Sequence, residues 1–192
     1  MQELLSRLKE KTVIRIVQVC NYSHSIAPFI YSLCDFSKIE LCLLASNAQV
    51  AAALRLENEN IFANCKVLLL DEFANEQSFD LVISENIAFS KDYQLLIEQA
   101  VNKLLPAGVL VDISNEFDYI KAFINGAFCE LFGCKDEFTY SVHGLSKEAL
   151  SLWIDEIGLV IKNSVKLPDL SLTVAQKKET AASTTRTCVL FI

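Results

Sequence analysis

Cys20, Ser23 and His24 lie within one short stretch, CNYSH. A thiol or hydroxyl beside an imidazole is raw material for nucleophilic catalysis, the imidazole taking the proton as the nucleophile attacks. The chemistry needs a third group to orient the base, and no acid is evidently placed to do so for His24. No Gly-x-Ser-x-Gly elbow presents Ser23 either. The same five residues read equally as a loop whose side chains plug a pocket, or as a site for some other small ligand. Two polar pairs follow apolar runs, Asp71-Glu72 and Glu85-Asn86. Glu85-Asn86 suits contact with a substrate above a sheet, or a turn in which Asn86 bonds neighbouring backbone. His143 reads as an exposed loop residue. The seven cysteines contain no Cys-x-x-Cys pair, so the spacing that a metal site needs is missing and no metal is expected.

The residues around this stretch must position it. Val13–Val19 reads as a buried strand and Ser25 onward as the start of a helix, so CNYSH sits at a strand-to-helix junction. A nucleotide-binding α/β fold usually has a glycine-rich turn there, letting backbone close on the ligand. This junction has no glycine.

Further candidate strands are Ile39–Ala45, Lys66–Leu70, Phe79–Ser84 and Val109–Ser114. All are continuous apolar runs, as expected of strands buried on both faces of a parallel sheet. Helical patterns alternate with them. Ala48–Leu56 is one. Lys91–Leu105 is another, with Leu96, Ala100 and Leu104 on one face and Ile97 and Val101 beside them, Ser90 as N-cap and Pro106 as terminator. Pro106-Ala107-Gly108 reads as the turn into the fifth strand. The alternation predicts an α/β, doubly wound sheet.

Beyond Ser114 the pattern changes. Phe117–Phe132 is an aromatic-rich helix whose Phe117, Tyr119, Phe123, Phe128 and Phe132 suit either core packing or an acyl-chain pocket. Ser146 caps a last helix with Leu145 and Leu150 as a staple, Leu150, Trp153, Ile154 and Ile157 as its buried stripe and Gly158 as its stop. Leu159–Leu167 and Thr187–Ile192 read as strands, with Ser171–Ala175 competing for the last strand position. No repeat or boundary divides residues 1–192, which read as a single domain.

The 192 residues carry a net charge of −7 with scattered Lys and Arg, which argues against nucleic acid as a partner. No apolar run reaches the ~20 residues of a membrane span, and the amphipathic N-terminus, MQELLSRLKEK, lacks a signal-peptide core. The odd number of cysteines, mostly in apolar settings, fits reduced thiols in the cytoplasm.

The stretch FDLVISENIAFSKDYQLLIEQAVNKLLPAGVLVDIS, residues 79–114, resembles the methyltransferase domains of polyketide and fatty acid synthases, in which FDLV precedes an Asn-Val-Leu-His-type loop, a helix, Leu-x-Pro-Gly-Gly and a strand. LSKEALSLWIDEIGL is similar to the family's Ser-x-x-x-Trp helix ending in Ala-Gly-Phe. The resemblance covers most of the chain. It implies a class I methyltransferase-like (Rossmann-like), mostly parallel seven-stranded sheet with an antiparallel last strand.

The resemblance also marks what is altered. The acid that ends the first strand in active members stands here as Gln18, and the Gly-x-Gly-x-Gly-like turn as Cys20 to Ser25, with Tyr22 and His24 inside it. The ribose-binding acid after the second strand is replaced by Leu43-Leu44-Ala45-Ser46. Asp71 remains where the family often keeps an acid near the adenine, although it reads equally as part of a solvated loop. Asn86 matches the family's loop, but the His that follows is Phe89 and the Glu near the end of the fifth strand is Ser114. That His-Glu pair would have supplied general-base chemistry.

The resemblance therefore implies a degenerate site at Gln18, Cys20, Tyr22, His24, Ser46, Asp71 and Asn86, with no catalytic residue and no bound cofactor. The expected function is that of a pseudo-methyltransferase domain within a larger polyketide or fatty acid synthase, with neighbouring synthase domains and an acyl carrier protein as partners. The alternative is a divergent C-methyltransferase acting on a carrier-bound polyketide, with S-adenosylmethionine as cofactor and an open pocket near Gln18, Ser46 and Asp71. A third reading is a free-standing adaptor like the electron-transfer adaptors with a degenerate methyltransferase-like domain, though no Cys-rich cluster supports it.

Overall fold

The computed structural model describes residues 11–21, 25, 27–28, 38–58, 64–85, 91–115, 147–166 and 170–178. Seven strands form one sheet: β1 (Ile14–Cys20), β2 (Ile39–Ala45), β3 (Cys65–Leu68), β4 (Phe79–Glu85), β5 (Leu104–Asn115), β6 (Leu159–Lys166) and β7 (Leu170–Lys177). Their spatial order is β3-β2-β1-β4-β5-β7-β6. The first five strands are mutually parallel, and β7 runs antiparallel between β5 and β6. The expected seven strands and antiparallel last strand are present.

The continuous apolar runs divide between two cores. Val17, Val19, Cys42, Leu44 and Val82 belong to one cluster, and the intervening Ile16, Cys20, Leu41, Leu43 and Ile83 belong to the other. Successive strand side chains point to opposite faces, so a strand apolar at every position must be covered on both. Helix α1 (Ala48–Asn58) contributes Ala51 and Leu54 to the second cluster. The first cluster receives Phe73 from α2 (Leu70–Phe73) and Tyr93, Leu96, Ile97, Ala100 and Val101 from α3 (Lys91–Asn102). Helix α4 (Lys147–Glu156) adds buried Ile154, with Leu150, Trp153 and Ile157 packed against the cluster, as its periodicity predicts. Gly158 stops that helix at φ +80°.

Several expectations need correction. The third strand ends at Leu68, because Leu70 opens α2. The Glu72 carboxylate turns back to accept the Leu69 N–H at 2.8 Å, and Phe73 buries its ring in a stack on Phe79 with centroids 5.5 Å apart. The helix expected to reach Leu105 stops at Asn102. There the Lys177 ammonium donates to the carbonyls of Val101, Asn102 and Leu104 at 3.2, 3.2 and 2.8 Å, satisfying groups that a helix end leaves open.

Pro106-Ala107-Gly108 lies inside β5 rather than before it. The β4 register jumps from Phe79↔Leu104 to Leu81↔Val109, so the three residues form an irregularity in the strand, and Ala107 has a φ of 61°. A second register shift falls on the other side of the sheet, where Lys162 interrupts the β6–β7 ladder between Ile161 and Asn163. Among the described residues the last strand is Leu170–Lys177, which contains the segment Ser171–Ala175, and its Val174 and Ala175 are buried. Residues 187–192, the N-terminal amphipathic stretch, the aromatic helix over 117–132 and the caps Ser90 and Ser146 lie outside the described residues.

Candidate functional site

In a parallel open sheet a ligand crevice forms where strand order reverses, at the carboxyl ends of two neighbouring strands that part company. Here those strands are β1 and β4. Strand β1 pairs with β2 to its last residue, Cys20↔Ala45, and β4 pairs with β5 to its last residue, Glu85↔Ile113. Between themselves they pair only from Ile16↔Leu81 to Gln18↔Ile83. Beyond that rung the strands open into a V.

Protein groups occupy the V. The Tyr93 hydroxyl, brought in by the first turn of α3, donates to the Val19 carbonyl at 2.7 Å and accepts the Glu85 N–H at 3.0 Å. The Gln18 amide Nε2 donates to Glu85 Oε1 at 3.2 Å. Burial pushes the Tyr93 phenol well above its usual pKa, and the hydrogen bond from the Glu85 N–H opposes this only in part. The hydroxyl thus keeps the proton with which it holds Val19. One row further along, Ser84 Oγ donates to Asp112 Oδ1 at 2.8 Å, both groups being buried.

Of the expected site residues, Gln18, Cys20, Ser46 and Asp71 fall among the described residues. Gln18 is only 1 % exposed, so the position where the family carries an acid is closed to solvent. Cys20, expected in the turn, is instead the last residue of β1. Its thiol is buried and directed at the Gln18 carbonyl, 3.7 Å away. Burial raises its pKa far above the thiol range, and the Glu85 carboxylate raises it further. A thiol held protonated and covered is no nucleophile at neutral pH. Asp71 lies on α2, exposed, rather than in a loop. Tyr22, Ser23, His24, Asn86 and Phe89 lie outside the described residues, as does the side chain of Ser114.

Beside the V, a cleft of about 480 Å³ opens over the ends of β1, β2 and β3. Asn21, Ser46, Asn47 and Asp71 give its described wall a polar side, and Leu69, Leu70, Leu95 and Leu96 an apolar one, with Tyr93 between them. The Ser46 N–H donates to the Cys20 carbonyl at 3.0 Å, tying the rim to β1. Asn47 fixes the start of α1 by accepting the Val50 N–H at 3.0 Å on its side-chain oxygen. Of the pocket expected near Gln18, Ser46 and Asp71, a cleft is present at Ser46 and Asp71, whereas buried Gln18 is not among its described lining residues. Asp71 is the one charged residue among the described lining groups. Among the described residues, no cluster of His, Cys, Asp and Glu is arranged to hold a metal ion.

The sequence singled out Glu85 without its partner: it ends β4 and accepts from Gln18. Tyr93, Ser84 and Asp112 were missed. Asp112 did carry a signal, as a lone acid within an apolar strand, VLVDIS. Such a group is buried only with a partner.

No family model matches the sequence, and no curated protein matches it. Solved structures do. A carbon methyltransferase, CurJ, superposes over 92% of this chain with a TM-score of 0.62 at 14% identity. Mitomycin 7-O-methyltransferase MmcR does so over 92% at 0.63 and 13%, and a putative sarcosine dimethylglycine methyltransferase from Galdieria sulphuraria over 93% at 0.61 and 10%. The chain spans about half of the CurJ and MmcR chains, 52% and 53%, and 85% of the Galdieria chain. With this strand order, this antiparallel β7 and these neighbours, the chain has the class I methyltransferase-like, Rossmann-like fold.

Proposed function

We propose that this chain is a pseudo-methyltransferase domain: the methyltransferase scaffold retained without methyl transfer, in the manner of the degenerate domains of polyketide and fatty acid synthases. One observation carries the reading: at the switch point the Gln18 side chain is buried and donates to the Glu85 carboxylate. Sequence supports it, because Leu44-Ala45 at the end of β2 and Ser46 after it offer no carboxylate for a ribose diol. The role is then architectural, with neighbouring synthase domains and an acyl carrier protein as partners. The buried thiols of Cys20, Cys42 and Cys65 suit work in the reducing cytoplasm.

The cleft beside Ser46 and Asp71 favours a second reading, a divergent S-adenosylmethionine-dependent C-methyltransferase acting on a carrier-bound acyl group. The solved CurJ carbon methyltransferase, though similar at only 14% identity, points the same way.

Titration of S-adenosylmethionine and S-adenosylhomocysteine into the chain separates the two. A ligand at about 100 times its Kd adds about 2.7 kcal/mol to native stability. No heat and no rise in Tm at millimolar ligand is the expected result. A micromolar Kd, with label passing from S-adenosylmethionine to a carrier-bound β-ketoacyl group, refutes the structural role and establishes the enzyme.

A further inference from the structure

We propose that the Tyr93 side chain is a built-in ligand of the switch-point crevice: its hydroxyl takes, from inside the protein, the polar position between β1 and β4 that a bound molecule's polar group would take, and so keeps the crevice closed. The inference deepens the pseudo-methyltransferase reading by naming the residue that blocks the site.

Parallel pairing of β1 with β4 stops at Gln18↔Ile83, although both strands continue, each fully paired on its outer side. Past the last rung, the Val19 carbonyl and the Glu85 N–H face the widening gap. Buried backbone groups of this kind need partners. A ligand or ordered water serves that purpose in an open crevice, whereas here a single phenol oxygen meets both, at 2.7 and 3.0 Å.

Placement of that oxygen depends on packing. Tyr93 is 2 % exposed, and its ring belongs to the core cluster that holds Val19, Leu96 and Ile97. The ring is therefore fixed by α3 rather than free to swing with solvent. Tyr93 also lines the open cleft, so it forms the partition between the cleft and the V. The cleft keeps its space, while the V behind it is filled.

Two variants and two small probes test this. Tyr93→Phe keeps the ring and removes the bridge. The Glu85 amide should then exchange with solvent about tenfold faster or more, with the Ile83 amide, one rung deeper, unchanged. Tyr93→Ala removes the whole group and should lower Tm by roughly 10 °C. Phenol at millimolar concentration should return several degrees of that loss, and toluene, of the same shape without the hydroxyl, clearly less. Wild type should respond to neither. Unchanged Glu85 exchange in Tyr93→Phe overturns the proposal, as does equal rescue by phenol and toluene, because ring packing alone would then account for Tyr93. If Tyr93→Ala does not fold, the exchange measurement on Tyr93→Phe still decides. Cofactor titration of the wild type tests the pseudo-methyltransferase reading separately, so either idea can fail while the other stands.

Discussion

Restoring the missing acid, Gln18→Glu, is the most searching perturbation of the site. In the native chain Gln18 Nε2 lies 3.2 Å from Glu85 Oε1, with Gln18 buried and Glu85 half-buried. The variant exchanges the donor for a second carboxylate. Two full charges at that separation repel by about 5 kcal/mol at an effective dielectric of ~20. The pair has a cheaper route, which is to bind one proton and share it. Keeping a carboxyl of ordinary pKa near 4.3 protonated at pH 7 costs about 3.7 kcal/mol, which sets the ceiling. Gln18→Glu should therefore lose about 3–4 kcal/mol at pH 7, a large part of the ~5–15 kcal/mol that a domain has.

The sign with pH follows from linkage. The shared proton raises one carboxyl's folded pKa above its unfolded value. The penalty is then absent below about pH 4, near 1 kcal/mol at pH 5, and grows with pH until the folded pKa is passed. Urea unfolding followed by fluorescence of Trp153, the chain's single tryptophan, reads this directly. A variant as stable as wild type at pH 7 refutes the reasoning. So does a gain in S-adenosylmethionine affinity, since it would mean that the site lacked only its acid.

Other perturbations test the surrounding framework. Ala107 has φ 61°, so Ala107→Gly should stabilise by about 0.5–1 kcal/mol after allowance for glycine's extra unfolded-state freedom, seen as a higher denaturation midpoint. Gly108→Ala should destabilise by about 2 kcal/mol or more by the same assay, because its Cβ would meet the Leu105 carbonyl oxygen at 2.8 Å and Leu104 Cδ2 at 3.0 Å. Lys177→Met should cost about 1–3 kcal/mol in urea unfolding by leaving the carbonyls at the end of α3 without their donor. Cys20 and Cys42, their thiol pKa values raised mainly by burial, should resist a thiol reagent at pH 8 in the native state and react at once in urea, as peptide mapping of the labelled sites would report.

Much of the sheet was legible because buried parallel strands write continuous apolar runs. Ile39–Ala45 was read to the residue, and Phe79–Ser84 to within one. Legibility failed where tertiary contacts decide. Nothing local in Leu70-Asp71-Glu72-Phe73 announces that Phe73 will stack on Phe79 and curl the segment into a helical turn. The strand at Leu170–Lys177 depends on its place beside β5, a partner more than fifty residues away. In the site, the types at Gln18 and Ser46 could be compared position by position with a family motif. The Tyr93 bridge could not, since it joins the end of one strand to the start of a helix far along the chain.

The irregular rung at Lys162 bears on how the molecule behaves in company. Among the described residues, strand β6 is eight residues long and lies at one border of the sheet, with Val160 and Ile161 partly uncovered, features that invite a stranger's strand to add itself. The irregularity there breaks the regular spacing of main-chain donors and acceptors, and exposed Lys162 sets a charge at the break. The border is thereby made a poor template for aggregation by strand addition.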